Sequence, residues 1–305
     1  MTLIEDLQGA IQGALAKAGP SVVGIGRHQR GSGVVVADGR VLTNAHNLRG
    51  DEVTVTFADG RSAVGTVVGV DHDGDLAVVS VDTTGAAPIE WAADASLGVG
   101  AIVFGLAASR SAGTRITLGS VSAVGRAFRG PGGRRISGSI EHTAPLASGS
   151  SGGPLLDGAG RLAGLNTNRI GEGFYLALPA DAALHERVES LAAGTSVERP
   201  RLGIAIAPAF VARRMRRSVG LPDRDGLLVR GVEDDSPAAT AGIVRGDLIV
   251  AVAGTAVSDA DELLDAIRAA QQPYQILLVR GADEVTVTVG KPAGGATSGA
   301  KSGAN

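Results

Sequence analysis

Short apolar runs separated by turn residues fill the chain from about Val22 to Leu178. Val34-Val35-Val36 and Val41-Leu42-Thr43 flank Asp38-Gly39. Val53 to Phe57 and Ala63 to Val70 flank Asp59-Gly60, and Leu155-Leu156 and Leu162 to Leu165 flank Asp157-Gly158-Ala159-Gly160. Asp-Gly marks a tight hairpin, because both central residues of a type I′ turn need positive φ. Short strands joined repeatedly in this way predict a barrel or a sandwich. A different period precedes them. Leu3, Ile4, Leu7, Ile11 and Leu15 share one face of a helix over residues 3–17, which Gly19-Pro20 ends.

The pattern changes near Ala180. Residues 182–191 read as a helix, and Ala192 to Ser196 as the start of a linker that Arg199-Pro200 closes. Residues 201–290 mix strands with two helical stretches. The second, residues 259–270, takes Ser258 as its N-cap with Asp261 three residues on, a capping-box variant. Residues 291–305 are rich in Gly, Ala and Ser, lack an apolar period and are expected to be disordered. The chain thus divides into a helical segment (1–20), a β domain (21–192), a linker (193–200), a second domain (201–290) and a tail (291–305).

Composition narrows the chemistry. With 44% hydrophobic but only 3% aromatic residues, the cores must be built from Val, Leu, Ile and Ala. The 46 glycines suit many tight turns. A net charge of −3 argues against nucleic acid as the main partner. The absence of cysteine excludes disulfides, zinc thiolates and thiol catalysis. His28, His72, His142 and His185 have no metal-ligand spacing, and Gly24-Ile25-Gly26 lacks the rest of a dinucleotide site, so no metal or cofactor is assigned. The N-terminus carries two early acids and no basic run, and no apolar stretch reaches the ~20 residues of a membrane span. A cytoplasmic protein is the expectation.

Three segments carry candidate chemistry. Thr43-Asn44-Ala45-His46 ends one apolar run, Asp75 opens Leu76-Ala77-Val78-Val79, and Ser151 lies in Gly149-Ser150-Ser151-Gly152-Gly153-Pro154. Hydrolysis of a peptide bond needs a nucleophile, a base, a group that orients the base, and donors for the oxyanion. Ser151 is the candidate nucleophile, His46 the base and Asp75 the orienter, with Asp73 its rival. The glycines permit a sharp turn that can aim the N–H groups of Gly149 and Ser151 at one point, an oxyanion hole. Histidine, aspartate, then serine is a chain order used by serine endopeptidases.

These segments, with Gly31-Ser32-Gly33-Val34, Gly119-Ser120-Val121-Ser122-Ala123 and Ser151-Gly152-Gly153-Pro154, resemble the trypsin-like proteases of the HtrA family over roughly Val22 to Val289. The resemblance implies a mainly β fold: a chymotrypsin-like double β-barrel with the active site between the barrels, then a small α+β PDZ domain. It places the floor of the primary specificity pocket at Pro145 and Leu146; no carboxylate is there, so cleavage after small aliphatic residues is expected. It marks the Arg-rich segment 126–135 as a regulatory loop. It also implies a homotrimer built through the N-terminal segment, although residues 1–30 contain no aromatic residue. The family usually has Asn where this chain has Ser150. Without an acid there, activation by a newly cut N-terminus is not expected.

Arg201-Leu202-Gly203-Ile204 resembles the carboxylate-binding loop of a PDZ domain, with Leu202, Ile204 and Leu264 lining a pocket for an apolar C-terminal residue. Such a module binds peptides by extending its sheet. The sequence therefore points to an endopeptidase acting on unfolded polypeptides and tethered or regulated by peptides. A proteolytically silent chaperone or scaffold of the same fold is the second reading.

Overall fold

The computed structural model describes residues 2–92, 97–109, 113–130, 135–171, 173–196 and 201–290. The expected tail, the end of the linker and the tip of the 126–135 segment lie outside the described residues. The chain forms two compact units, 1–199 and 200–305.

The first unit holds two closed six-stranded barrels. One is built from β1 (Val22–Ile25), β2 (Gly31–Ala37), β3 (Arg40–Thr43), β4 (Glu52–Thr56), β5 (Ser62–Asp71) and β6 (Leu76–Ser80). The other uses β7 (Ile102–Ala108), β8 (Thr114–Arg129), β9 (Arg135–His142), β10 (Pro154–Leu156), β11 (Leu162–Ile170) and β12 (Phe174–Pro179). The three turns that contain Asp-Gly join β2 to β3, β4 to β5 and β10 to β11, all antiparallel pairs. Continuous apolar runs arise because these strands are buried on both faces. Val35, Val41 and Val79 enter one core cluster, while their neighbours Val34, Leu42 and Val78 enter another shared with Phe104, Leu156 and Leu176 of the second barrel. Alternation of side chains along a strand thus feeds two cores at once.

α1 (Leu3–Ala18) begins with a capping box, Thr2 Oγ1 accepting from Glu5 N and the Glu5 carboxylate accepting from Thr2 N. Its apolar stripe is covered only toward the C-terminal end of the helix. Leu3 and Ile4 are 82% and 70% exposed, and the buried positions are Ala14 and Ala18. The helix docks by its last turns, where Lys17 pairs with Glu90 at 2.8 Å, so the apolar residues of the first turn have nothing beneath them. α2 (Ala182–Ala192) is capped by Asp181 and buries Leu184, Val188 and Leu191.

The second unit is a sheet of order β13-β14-β15-β17-β18, with β16 paired to β15. Its elements are β13 (Ile204–Ala207), α3 (Ala209–Ser218), β14 (Leu227–Val232), α4 (Pro237–Thr240), β15 (Leu248–Val252), β16 (Thr255–Ala256), α5 (Ala260–Ala269), β17 (Tyr274–Arg280) and β18 (Asp283–Val289). α5 starts one residue later than the capping pattern suggests. Asp259 is the N-cap, accepting from the amides of Asp261 and Glu262 at 2.9 Å, while Ser258 bonds the Glu262 carboxylate instead. A carboxylate beside two free amides outcompetes a hydroxyl one residue earlier. The basic run on α3 is largely satisfied within this unit. Arg213 pairs with Asp225 and Arg217 with Asp223, while Arg216, 4% exposed, donates to the carbonyls of Pro222 and Gly281.

Candidate active site

His46 sits in the single 3-10 turn Ala45–Asn47 that follows β3. Asp75 stands immediately before β6, and β3 pairs with β6, so the strand register brings the two together. His46 Nδ1 lies 3.0 and 2.8 Å from the two Asp75 carboxylate oxygens, and the His46 amide donates to Oδ1 at 3.1 Å. Asp75 is 3% exposed and has φ +55, a left-handed conformation uncommon outside glycine. Asn44 Nδ2 and Ala45 N both donate to its carbonyl and hold that conformation. Thr167, from β11 of the other barrel, donates its hydroxyl to Asp75 Oδ2 at 2.9 Å. A buried carboxylate on Nδ1 keeps the ring proton there and leaves the Nε2 lone pair to act as a base. Asp73 belongs to a different arrangement, a turn in which Asp71 accepts from the amides of Asp73 and Gly74 and pairs with Arg187.

Ser151 occupies the loop before β10. Its hydroxyl donates to the Thr167 carbonyl at 2.8 Å, and no hydrogen bond joins it to His46. Gly149 and Gly152 have φ of +88 and +86, and a Cβ on Gly152 would lie 2.1 Å from the Ser32 carbonyl. Only glycine fits there, because that approach is closer than any real contact.

The first barrel holds this loop. Ser32 Oγ donates to the Gly149 carbonyl at 2.8 Å and accepts from Ala108 N, and Ser32 N donates to the Ser151 carbonyl. Asn47 Nδ2 donates to that same carbonyl at 3.0 Å and to Thr43 Oγ1. The amides of Gly149 and Ser151 donate to no protein acceptor among the described residues. Ser32, Asn44 and Asn47 stand inside or beside the motifs that single out the site, yet spacing does not report their bonding. Thr167 carries no local signal at all, since nothing in Leu165-Asn166-Thr167-Asn168 specifies that its hydroxyl meets a carboxylate 92 residues earlier.

A cleft of about 390 Å³ opens beside Ser151, lined among others by Arg30, His46, Leu146, Asn166, Arg169 and Tyr175. Of the two residues expected in the specificity pocket, Leu146 is in this wall; Pro145 is exposed and outside it. Behind the wall His142 is fully buried, its Nε2 3.0 Å from Asn166 Oδ1 and its ring stacked on Tyr175. Burial pushes its pKa down to about 4, against a smaller opposing effect of the Asn166 bond.

In the second unit, Arg201 is exposed and ion-paired with Glu233 at 3.0 Å. Leu202, 5% exposed, is part of the core cluster of this unit. Gly203 and Ile204 follow it into β13, an edge strand of the sheet, and Ile204 and Leu264 are half-buried.

Two closed barrels that contribute a His–Asp pair and a serine in a glycine turn define a trypsin-fold serine hydrolase. Comparison with known proteins extends this. Residues 31–165 match the trypsin-like peptidase domain and residues 228–280 the PDZ domain. The chain is 35% identical over 280 residues to the putative serine protease HhoA of Synechocystis sp., covering 85% of this chain and 70% of that protein. It is 34% identical over 247 residues to a probable periplasmic serine endoprotease, DegP-like, of Brucella suis, covering 77% of this chain and 46% of that one. This chain therefore spans less than half the length of the Brucella relative. Among solved structures, the HtrA-type protease AlgW with decapeptide superposes with a TM-score of 0.69 at 26% identity, covering 92% of this chain and 97% of AlgW. The serine endoprotease from Yersinia pestis gives 0.67 at 27% identity, covering 92% and 96%. The chain belongs to the HtrA/DegP-like family of trypsin-fold serine endopeptidases with a C-terminal PDZ domain.

The expectation of a cytoplasmic protein is corrected by these relatives, several of which are named as periplasmic. A targeting segment is separate from the folded domains and is removed from the mature protein, so the domains themselves carry no address.

Proposed function

We propose that this chain cleaves peptide bonds of unfolded or damaged polypeptides, with Ser151 as nucleophile, His46 as general base and Asp75 as its orienter. The observation that carries this reading is the His46–Asp75–Thr167 network, which spans the barrel seam and meets the Ser151 hydroxyl at the Thr167 carbonyl. On substrate binding the Ser151 hydroxyl leaves the Thr167 carbonyl and gives its proton to His46 Nε2 as its oxygen attacks the scissile carbonyl. The negative charge that develops on the carbonyl oxygen is met by the amides of Gly149 and Ser151. Collapse of the tetrahedral species breaks the C–N bond, and His46 returns the proton to the departing amine. Water then attacks the acyl-enzyme by the same route in reverse.

A preference for small aliphatic residues before the scissile bond is supported by Leu146 in the cleft wall and by the absence of any carboxylate among its described lining residues. In the second unit, an apolar C-terminal residue would lie along β13 near Ile204 and Leu264, its carboxylate on the backbone of Arg201 to Ile204. The free edge of β13 supports this. Assembly into a trimer through α1 is supported by the exposed Leu3 and Ile4. Light scattering of the intact chain and of a Leu3→Ser, Ile4→Ser variant tests it, and equal mass for both would dismiss it.

Covalent labelling by a fluorophosphonate tests the catalytic reading. A single adduct mapped to Ser151, together with cleavage of denatured casein, is the expected outcome. No adduct and no cleavage would favour a chaperone that keeps the fold.

A further inference from the structure

We propose that the mouth of the catalytic cleft is a cationic cradle that selects substrates with acidic residues just after the scissile bond. This inference rests on the catalytic reading above and names the substrate class of the same site.

Arg30 lines the catalytic cleft together with His46 and Ser151. It also lines an adjoining cleft of about 270 Å³, whose wall includes Arg27, Arg49, Asn47 and one acid, Glu52. Arg30 is therefore the shared wall of two neighbouring recesses. Arg27, Arg30 and Arg49 are exposed, and none forms an ion pair among the described residues. Several other arginines of the same unit behave differently. Arg61, Arg126, Arg161 and Arg187 each pair with a carboxylate. Unpaired guanidiniums gathered at one mouth of a protein whose net charge is −3 are a local excess that neutral or basic substrates would not use.

The position of the cluster gives the polarity. Leu146, Asn166 and Tyr175, the walls that would take the side chain before the scissile bond, all belong to the second barrel. Arg27 and Arg30 lie in the β1–β2 turn of the first barrel, and Arg49 lies just beyond the turn that carries His46. An extended chain laid across Ser151 with its pocket residue against the second barrel carries its leaving-group side onto these arginines. One carboxylate there meets Arg30, and a second, one or two residues on, reaches Arg27 or Arg49. Exposed guanidinium groups bind such carboxylates through paired N–H donors. Exposed pairs of this kind are modest singly and are screened by salt.

The test uses the full chain and three peptides with the same small aliphatic residue before the bond. They carry Asp-Glu, Ala-Ala or Lys-Lys in the second and third positions after it. At low ionic strength kcat/KM for the Asp-Glu peptide should exceed that for Lys-Lys by about tenfold, through KM rather than kcat. The ratio should collapse toward one in ~0.5 M salt, where the Debye length is about 4 Å. In an Arg30→Glu, Arg49→Glu variant the ratio should invert. A ratio near one at low salt, or one that these substitutions leave unchanged, overturns the proposal. Binding of the same peptides to Ser151→Ala, followed by fluorescence anisotropy, gives the same ranking without chemistry. If no peptide is cleaved but the anisotropy ranking holds, the catalytic reading fails and the cradle survives. If cleavage is normal and the ranking is flat, the cradle alone fails.

Discussion

The first barrel runs β1-β2-β3-β6-β5-β4 and the second β7-β8-β9-β12-β11-β10, the same order six strands later. Their contributions to the site are not the same. The first barrel presents His46 and Asp75 on turns locked by local hydrogen bonds, within 29 residues of each other. The second presents Ser151 on a glycine loop whose carbonyls are held by Ser32 and Asn47 of the first. Thr167 of the second barrel reaches back to Asp75 of the first. Each barrel thus holds a candidate group of the other. A repeated scaffold does not need a repeated site; two nearly equivalent frames give one seam with opposed loops.

If the division of labour is right, removing the nucleophile should have the largest effect. Ser151→Ala should lose on the order of a million-fold in turnover of casein peptides, by analogy with triad deletions elsewhere. Its circular dichroism and melting should match wild type, because the hydroxyl only caps one carbonyl. Substantial residual proteolysis would show that the second barrel does not supply the nucleophile.

The first barrel is tested by its carboxylates. Asp75→Asn should cost about four orders of magnitude, since the amide no longer fixes the ring tautomer. Asp73→Asn, placed in the turn supported by Asp71, should change kcat little. Reversed effects would mean that the wrong acid has been assigned.

The cross-barrel bonds sharpen the comparison further. Thr167→Val removes a donor to a buried carboxylate, a charge-assisted bond worth about 1.5–3 kcal/mol, so kcat should fall by roughly 10–100-fold. Thr167→Ser should restore most of it. Equal rates for Val and Ser would reduce Thr167 to a packing residue.

The site is legible in the sequence to the extent that its chemistry is local. His46, Asp75 and Ser151 each stand at a strand end, in a segment whose residue types and chain order suggest a role. The hairpins are legible because Asp-Gly has few alternatives to a tight turn. What stays hidden is long-range. Thr167 and Ser32 act through partners 92 and 117 residues away, and no spacing rule reports that. The apolar stripe of α1 is legible as one shared face, since periodicity reports only which residues share a face. Whether anything lies beneath that face depends on where the helix docks. The one-residue shift of the α5 cap has a different cause, two adjacent competent acceptors, Ser258 and Asp259, between which local pattern does not choose.

The smallest effect concerns a residue for which the first barrel has no buried equivalent among the described residues. His142 is buried behind the cleft wall with a pKa lowered to about 4 by desolvation. Unfolded, the ring would titrate near 6.5. Above 6.5 it is neutral in both states and costs nothing. As pH falls from 6.5 toward 4 the unfolded chain takes up a proton that the folded chain refuses, so stability declines. The loss saturates below 4 at roughly 3 kcal/mol, since each tenfold difference in proton affinity between the two states is worth about 1.4 kcal/mol. His142→Gln keeps a donor for Asn166 Oδ1 but cannot titrate. It should be less stable than wild type at pH 7, where the Tyr175 stacking is lost, yet its stability should fall less between pH 6.5 and 4.5. Urea midpoints at these two pH values, read by the fluorescence of Trp91, give the slopes. Parallel slopes would show that His142 is not the group responsible, and that the acid sensitivity of the second barrel lies elsewhere.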